Sequence, residues 1–195
     1  MKKSFLILGI VFVFALSASA QVPTPISFYA GGAISMPTSP DGFNDGYNMG
    51  WHGTAGVGYK FAPLFQVMGK IEYHDFAANL EGLPLDGGNA KVTMFGADAR
   101  YSMDMPTFPL KPFFFGGAGL AHVKLDEYSG PSLMTAVLNV GLPYTQDKMY
   151  WNLGAGFDFK TGPAWGLFVQ GRYVNIATEG ESISFIPVSV GVKFF

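Results

Sequence analysis

Apolar and polar side chains alternate with a period of two along most of the chain after residue 20. One parity of residues 51–61 is apolar and the other is small or polar; the apolar set is Trp51, Ala55, Val57, Tyr59 and Phe61. Successive side chains of a β-strand point to opposite faces, so this pattern predicts a strand with one apolar face. The same analysis predicts eight strands, at residues 26–36, 51–61, 66–74, 95–102, 111–123, 151–160, 167–173 and 184–195.

The first 20 residues have the organisation of a secretory signal. Lys2 and Lys3 precede an apolar stretch at residues 5–16, and Ala18 and Ala20 supply the small residues that a signal peptidase requires. The apolar stretch is shorter than the roughly 20 residues that span a bilayer as a helix. We therefore predict cleavage between Ala20 and Gln21, with residues 21–195 forming a single barrel domain.

Composition excludes several classes of protein. The chain has no cysteine, 13% charged residues and a net charge of −2, against 16% aromatic residues. Disulfide scaffolds and thiol chemistry are excluded, and neither nucleic-acid binding nor a cofactor is expected. No segment after residue 20 reads as a membrane helix, so a membrane form of this chain requires a closed barrel.

The connections between the predicted strands alternate in length. Long ones cover residues 37–50, 77–90, 124–148 and 177–183, whereas short ones cover 62–64, 105–110 and 161–163. Long outer loops and short periplasmic turns are typical of bacterial outer-membrane barrels, which also have an even number of strands. The sequence thus predicts an all-β fold, an eight-stranded antiparallel up-and-down transmembrane β-barrel.

Four segments resemble a known family when taken in order. Residues 111–120, 151–157, 167–173 and 190–195 are similar to strands of the eight-stranded outer-membrane barrels related to the OmpA transmembrane domain and OmpX. The resemblance implies an outer-membrane location, contact with outer-membrane lipids and lipopolysaccharide, and recognition by the outer-membrane assembly machinery. The terminal Phe194 and Phe195 resemble the signal which that machinery reads, although Phe195 falls out of step with the apolar parity.

Charged and amide side chains collect on the inward parity of three predicted strands. They are Lys70, Glu72, Asp98, Arg100, Gln170 and Arg172. An unpaired buried charge is costly, so these groups are expected to pair inside the narrow lumen. We favour a packed polar plug, because eight-stranded lumens are filled by side chains; a gated ion path is the alternative.

Three histidines stand near the outer ends of their strands. His52, His74 and His122 could in principle form a metal site or serve as a base in lipid A modification. The His-x-Ser arrangement of the lipid A deacylase type is absent, so we interpret them as ordinary polar residues at the membrane interface. No enzymatic activity and no metal site are predicted, and residues 41–46 read as a turn-rich loop instead of a calcium loop.

The long loops are acidic and carry one apolar segment. Residues 132–142 place Leu133, Met134, Val137 and Leu138 on a helical stripe, which is expected to pack on the barrel mouth because its exposure would invite aggregation.

Taken together, the sequence favours a structural or surface-interaction role with an unidentified loop partner. A small pore or an OmpW-like passage for hydrophobic solutes is the alternative, and a lipid-A-modifying enzyme or a soluble lipocalin-like barrel is less favoured.

Overall fold

The computed structural model describes residues 25–103, 105, 110–178 and 181–195. The predicted signal and its cleavage site lie outside these residues. The elements, in chain order, are β1 (Ile26–Ser39), α1 (Asp41–Gly46), β2 (Gly50–Ala62), β3 (Phe65–Phe76), β4 (Asp86–Gly87), β5 (Ala90–Ser102), β6 (Leu110–Leu125), β7 (Tyr128–Ser129), α2 (Ser132–Leu138), β8 (Tyr144–Lys160), β9 (Trp165–Ile176) and β10 (Ile183–Phe194). Neither of the two helices is long and apolar enough to cross a bilayer.

Eight of the strands form one closed barrel. Their order around the barrel is β1-β10-β9-β8-β6-β5-β3-β2, and the pairings of β1 with both β2 and β10 are antiparallel. Every long strand therefore pairs with its sequence neighbours, which confirms the predicted eight-stranded up-and-down topology. Closure satisfies the backbone of every long strand and leaves no open edge.

The strands extend further than predicted at the end of the barrel that carries the long loops, called the loop end below. β5 begins at Ala90 instead of residue 95, and the β6–β8 ladder continues to the pair Leu125 and Tyr144. At this end outward positions hold charged side chains such as Lys91 and Asp147, so the apolar alternation fades while backbone pairing continues. The opposite end, with the short connections, is called the turn end.

The outer surface of the barrel is apolar and aromatic. Trp51, Tyr59 and Phe61 are all more than half exposed, whereas His52 and Gly58, on the other parity of the same strand, are buried. Trp51 packs on Tyr73 with ring centroids 5.5 Å apart, and Trp151 packs on Tyr173 at 5.6 Å, both pairs lying on the outer face. Aromatic rings are favoured at a membrane–water interface, so these pairs mark where the apolar belt ends.

Two loop elements differ from the expectations. Residues 41–46 form the helix α1 instead of an irregular turn, and its Phe43 is buried in the barrel mouth. The expected packing of the apolar stripe at residues 132–142 is wrong, because α2 has no buried residue. The helix also ends early, since Gly141 adopts a positive φ of 85° and Pro143 follows.

Candidate functional site: the barrel interior

The loop end of the interior is closed by apolar side chains. Phe43 of α1 lies 5.2 Å from Phe76, and Phe76 lies 5.3 Å from Phe185, in edge-to-face geometry between ring centroids. The remaining members of this apolar cap come from four strands; they are Ala90, Val92, Met94, Ala121, Val123, Tyr150, Val174 and Ile176. Burial first, and then electrostatic interaction with the neighbouring Tyr128, raises the pKa of Tyr47 beside this cap to about 12, so the phenol stays neutral there.

Below the cap lies a layer of buried ionic groups. Lys70 Nζ lies 2.7 Å from Asp98 Oδ2 and 3.5 Å from Glu72 Oε2. Arg172 donates a hydrogen bond to Glu72 Oε1, and Asn152 donates one of 2.9 Å to Asp98 Oδ1. The two cations and two anions of this ionic layer balance in charge, as low-dielectric burial requires.

A second ionic group lies nearer the turn end. Asp158 accepts hydrogen bonds from Arg100 and, at 3.2 Å, from Lys193. The Arg100 guanidinium also lies 3.5 Å from the centre of the Phe113 ring, a cation–π contact. Of the six residues predicted to share one lumen cluster, Lys70, Glu72, Asp98 and Arg172 thus come together, whereas Arg100 belongs to this separate group.

Gln170, the sixth residue, is also buried. Its position along β9 lies between the ionic layer and the group formed by Arg100, Asp158 and Lys193. It pairs with Ser189 on β10 and with Gly156 on β8. Sequence reasoning left Asn152, Asp158 and Lys193 out of the cluster, although all three occupy the inward parity of their strands. Parity is therefore the signal that could have added them to the cluster.

Two histidines face each other across β2 and β3 inside the barrel. His52 and His74 are buried and stack with ring centroids 5.0 Å apart. Ser35 Oγ bonds to the Nδ1 of both rings, at 3.1 and 2.8 Å, and Ser189 Oγ lies 2.8 Å from His52 Nε2. Their interpretation as interface residues was wrong: the inward parity of both strands directs them into the lumen.

His122, by contrast, lies on the outer face. Its Nδ1 is 2.6 Å from Asp147 Oδ1, and both side chains are exposed. Nearby, Asp126 bonds to Lys124 at 2.8 Å and to Lys91, and these bonds lower the pKa of the Asp126 carboxyl. The three histidines therefore do not converge, and no group of three or more His, Asp or Glu side chains among the described residues is placed to hold a metal ion.

The third outer loop ties its helix to a neighbouring strand but leaves the helix exposed. Asn139 Oδ1 accepts the Tyr128 N–H and Asn139 Nδ2 donates to the Tyr128 carbonyl, both at 2.8 Å, which ties α2 to β7. The strand β7 in turn pairs with β4 of the preceding loop. On this support Leu133, Val137 and Val140 are exposed by 86%, 74% and 80%, and they form the apolar ridge of the loop.

Comparison with known proteins places this barrel in a family. The outer membrane protein beta-barrel domain family matches residues 7–194, which is nearly the whole chain. The chain belongs to this family. Its members' location assigns the barrel to the outer membrane, with the turn end on the periplasmic side because outer-membrane barrels have short periplasmic turns.

Solved structures of other proteins share the fold at low identity. Neisserial surface protein A is 18% identical, with a TM-score of 0.64, covering 88% of this chain and 97% of its own. Ail of Yersinia pestis in a nanodisc is 16% identical with a TM-score of 0.50, covering 87% and 99%. OprG of Pseudomonas aeruginosa is 15% identical with a TM-score of 0.50, covering 88% and 95%. No curated protein matches this chain by sequence.

Removing the Asn139 side chain is expected to release α2 without unfolding the barrel. Asn139→Ala deletes two hydrogen bonds worth about 1 kcal/mol each, so local opening of the loop should rise roughly tenfold or more. Limited proteolysis of the refolded protein with chymotrypsin, which cuts after aromatic and leucine residues, should accelerate by that factor within residues 128–142. Asn44→Ala, which removes only an exposed 3.3 Å bond to Asp45, is the matched control. Equal cleavage rates for the two variants would contradict the clamp.

Proposed function

We propose that this protein is a structural outer-membrane barrel with a closed lumen, whose role is to present its loops at the cell surface. The observation that carries the proposal is the filled interior: an apolar cap lies over two layers of paired, buried charges. Glu72, Asp98 and Arg100 are each no more than 2% exposed. A path for ions would have to separate these pairs and also displace the phenylalanines of the cap.

The surface half of the proposal rests on the apolar ridge of the third outer loop, two of whose members, Leu133 and Val137, lie on α2. A clamped helix that exposes leucine and valine side chains carries little ordering cost on binding, because its conformation is already held. Leu133 and Val137 stand at i and i+4 of α2, a spacing at which the apolar anchors of a helix enter grooves of partner proteins. No catalytic role is proposed, and lipopolysaccharide and the assembly machinery remain expected partners of the barrel.

A small pore is the second candidate, and one observation favours it. Within the described interior, Tyr150 Oη, Arg172 Nη1 and His74 Nε2 make no hydrogen bond to protein. Buried polar atoms of this kind commonly bind internal water. A hydrated ionic layer would conduct if the cap opened, so the two candidates differ in a measurable property.

Planar-bilayer recording separates them. The purified barrel, shown to be folded by the change in gel mobility on heating, is expected to give no resolved conductance steps. Lys70→Gln is the diagnostic variant, because it alters the ionic layer that any ion path must cross. Steps that occur with the wild-type protein, are absent from detergent alone and change in amplitude with Lys70→Gln would overturn the closed-lumen proposal in favour of the pore.

A further inference from the structure

Two histidines inside the barrel are titratable groups to which the closed-lumen proposal gives no role. His52 and His74 are 3% and 0% exposed, and their rings stack with centroids 5.0 Å apart. Imidazole is the side chain whose ordinary pKa, about 6.5, lies between pH 5 and 8. The chain has three histidines, and the third, His122, is exposed on the outer face. Mild acid therefore acts inside the lumen through this pair.

The hydrogen bonds of the pair fit two neutral rings. Ser35 Oγ of β1 lies 3.1 Å from His52 Nδ1 and 2.8 Å from His74 Nδ1. A hydroxyl has one proton to donate, so one Nδ1 accepts that proton and the other is an N–H that donates to the oxygen. On β10, the Ser189 hydroxyl bonds to His52 Nε2, whereas His74 Nε2 has no hydrogen-bond partner among the described residues. If both rings were protonated, the Ser35 proton would lose its acceptor and the His74 Nε2–H would be buried without one.

The charges beside the pair are already balanced. Glu72 of β3 would stabilise a positive charge on either ring, Arg172 of β9 would destabilise it, and Lys70 of β3 acts against a charge on His74. Glu72 is shared between Arg172 and Lys70, which its two carboxylate oxygens contact. A proton on either imidazole thus adds a buried charge that the ionic layer does not neutralise, and two protonated rings repel each other.

His74 also packs directly on the apolar cap. Its ring lies parallel to that of Phe76, with centroids 6.3 Å apart, and edge-to-face with that of Phe185 at 4.9 Å. Both phenylalanines are 0% exposed. A charged imidazole without a buried partner is stabilised by water, and water from the loop end has to pass these two rings to reach His74. Protonation of the pair is therefore coupled to the packing of the cap.

We propose that His52 and His74 form an acid latch, in which proton uptake by the pair in mild acid displaces Phe76 and Phe185 and admits water through the apolar cap. This inference rests on the proposed closed lumen and restricts it to neutral pH. The form that binds more protons gains population as the pH falls, so acid shifts the barrel from the closed form to the open form.

A reporter cysteine measures the opening, since the chain has no cysteine of its own. Val92→Cys places a thiol in the cap, where Val92 is 1% exposed and pairs with His74. Its labelling rate with a water-soluble methanethiosulfonate in phosphatidylcholine nanodiscs is divided by that of the exposed Ser132→Cys at the same pH, which corrects for the pH dependence of thiol reactivity. If the open form binds one more proton, at the ordinary imidazole pKa, this ratio should rise about thirtyfold from pH 7.5 to pH 5.

Variants in the reporter background identify the sensor. His52→Gln/His74→Gln should hold the rise below about twofold, because glutamine keeps hydrogen-bonding groups but takes up no proton. The matched control, His122→Gln, removes an imidazole from the outer face and should keep the full rise. The change in gel mobility on heating verifies folding, and His74→Gln alone, which should lose most of the rise, replaces the double variant if that fails to fold.

The possible failures are distinguishable. A reporter that stays protected at both pH values would refute the acid latch and leave the closed lumen standing. An equal rise with and without the two histidines would show that another group responds to acid. Labelling that is already as fast as that of Ser132→Cys at pH 7.5 would contradict the closed lumen itself, and the acid latch with it.

Discussion

Replacing Glu72 with glutamine is expected to lower the free energy of unfolding by about 3–5 kcal/mol. Glu72 is 1% exposed and contacts both Arg172 and Lys70. Glutamine keeps the shape of the side chain but removes its charge, which leaves Arg172 without the carboxylate that it bonds to and Lys70 with Asp98 alone among the described carboxylates that it contacts. Breaking one partner of a buried pair costs more than the pair contributes, because the remaining charge stays desolvated.

Urea unfolding in lipid vesicles, followed by tryptophan fluorescence and by the mobility of unheated samples, measures this loss. Glu81→Gln, in an exposed loop, is the matched control and should change stability by less than about 0.5 kcal/mol. The double variant Glu72→Gln/Arg172→Gln should recover part of the loss, because it removes the unpaired cation. A Glu72→Gln barrel as stable as Glu81→Gln would show that the ionic layer does not hold the barrel together.

Placing a methyl group on Gly117 is expected to cost about 3 kcal/mol, or to prevent assembly. Gly117 lies on β6 between Asp98 on β5 and Asn152 on β8, and those two side chains bond above it. A Cβ at Gly117 would lie 2.0 Å from the Ala97 carbonyl oxygen and 2.3 Å from Asp98 Oδ1. The backbone has to shift and the Asp98–Asn152 bond has to open, which leaves a buried carboxylate with fewer partners.

Gly171→Ala provides the comparison, because a Cβ at that position meets no atom within 4 Å. The two variants carry the same chemical change, in the same fold, at strand positions that differ in the space available. Urea midpoints and refolding yields should separate them clearly, with Gly171→Ala near wild type. Equal stability of the two would mean that Gly117 is not required for the approach of Asp98 to Asn152.

The architecture follows from the sequence because the side-chain period of a strand is two. The alternation around Trp51, Val57 and Phe61 identifies one apolar face, and the order of long and short connections identifies which end of the barrel is which. That reasoning located the eight strands and directed Lys70, Glu72 and Arg172 inward. Membrane placement then follows, since a closed barrel whose outward face is apolar is stable only in lipid.

The contacts inside the lumen were decided by tertiary structure. Parity tells which residues point inward, but the register between strands and the tilt of the barrel decide which of them meet. Arg100 therefore joins Asp158 and Lys193 instead of its chain neighbour Asp98, and His52 stacks on His74 inside the barrel. The exposure of α2 could not be predicted from the sequence either. A helix that packs on its own barrel and a helix that faces water can have the same apolar stripe in their sequences. Local sequence thus determined which side chains point into the lumen and which point outward. Which inward side chains contact each other depends on the stagger between strands that are distant in sequence, and no single strand encodes that stagger.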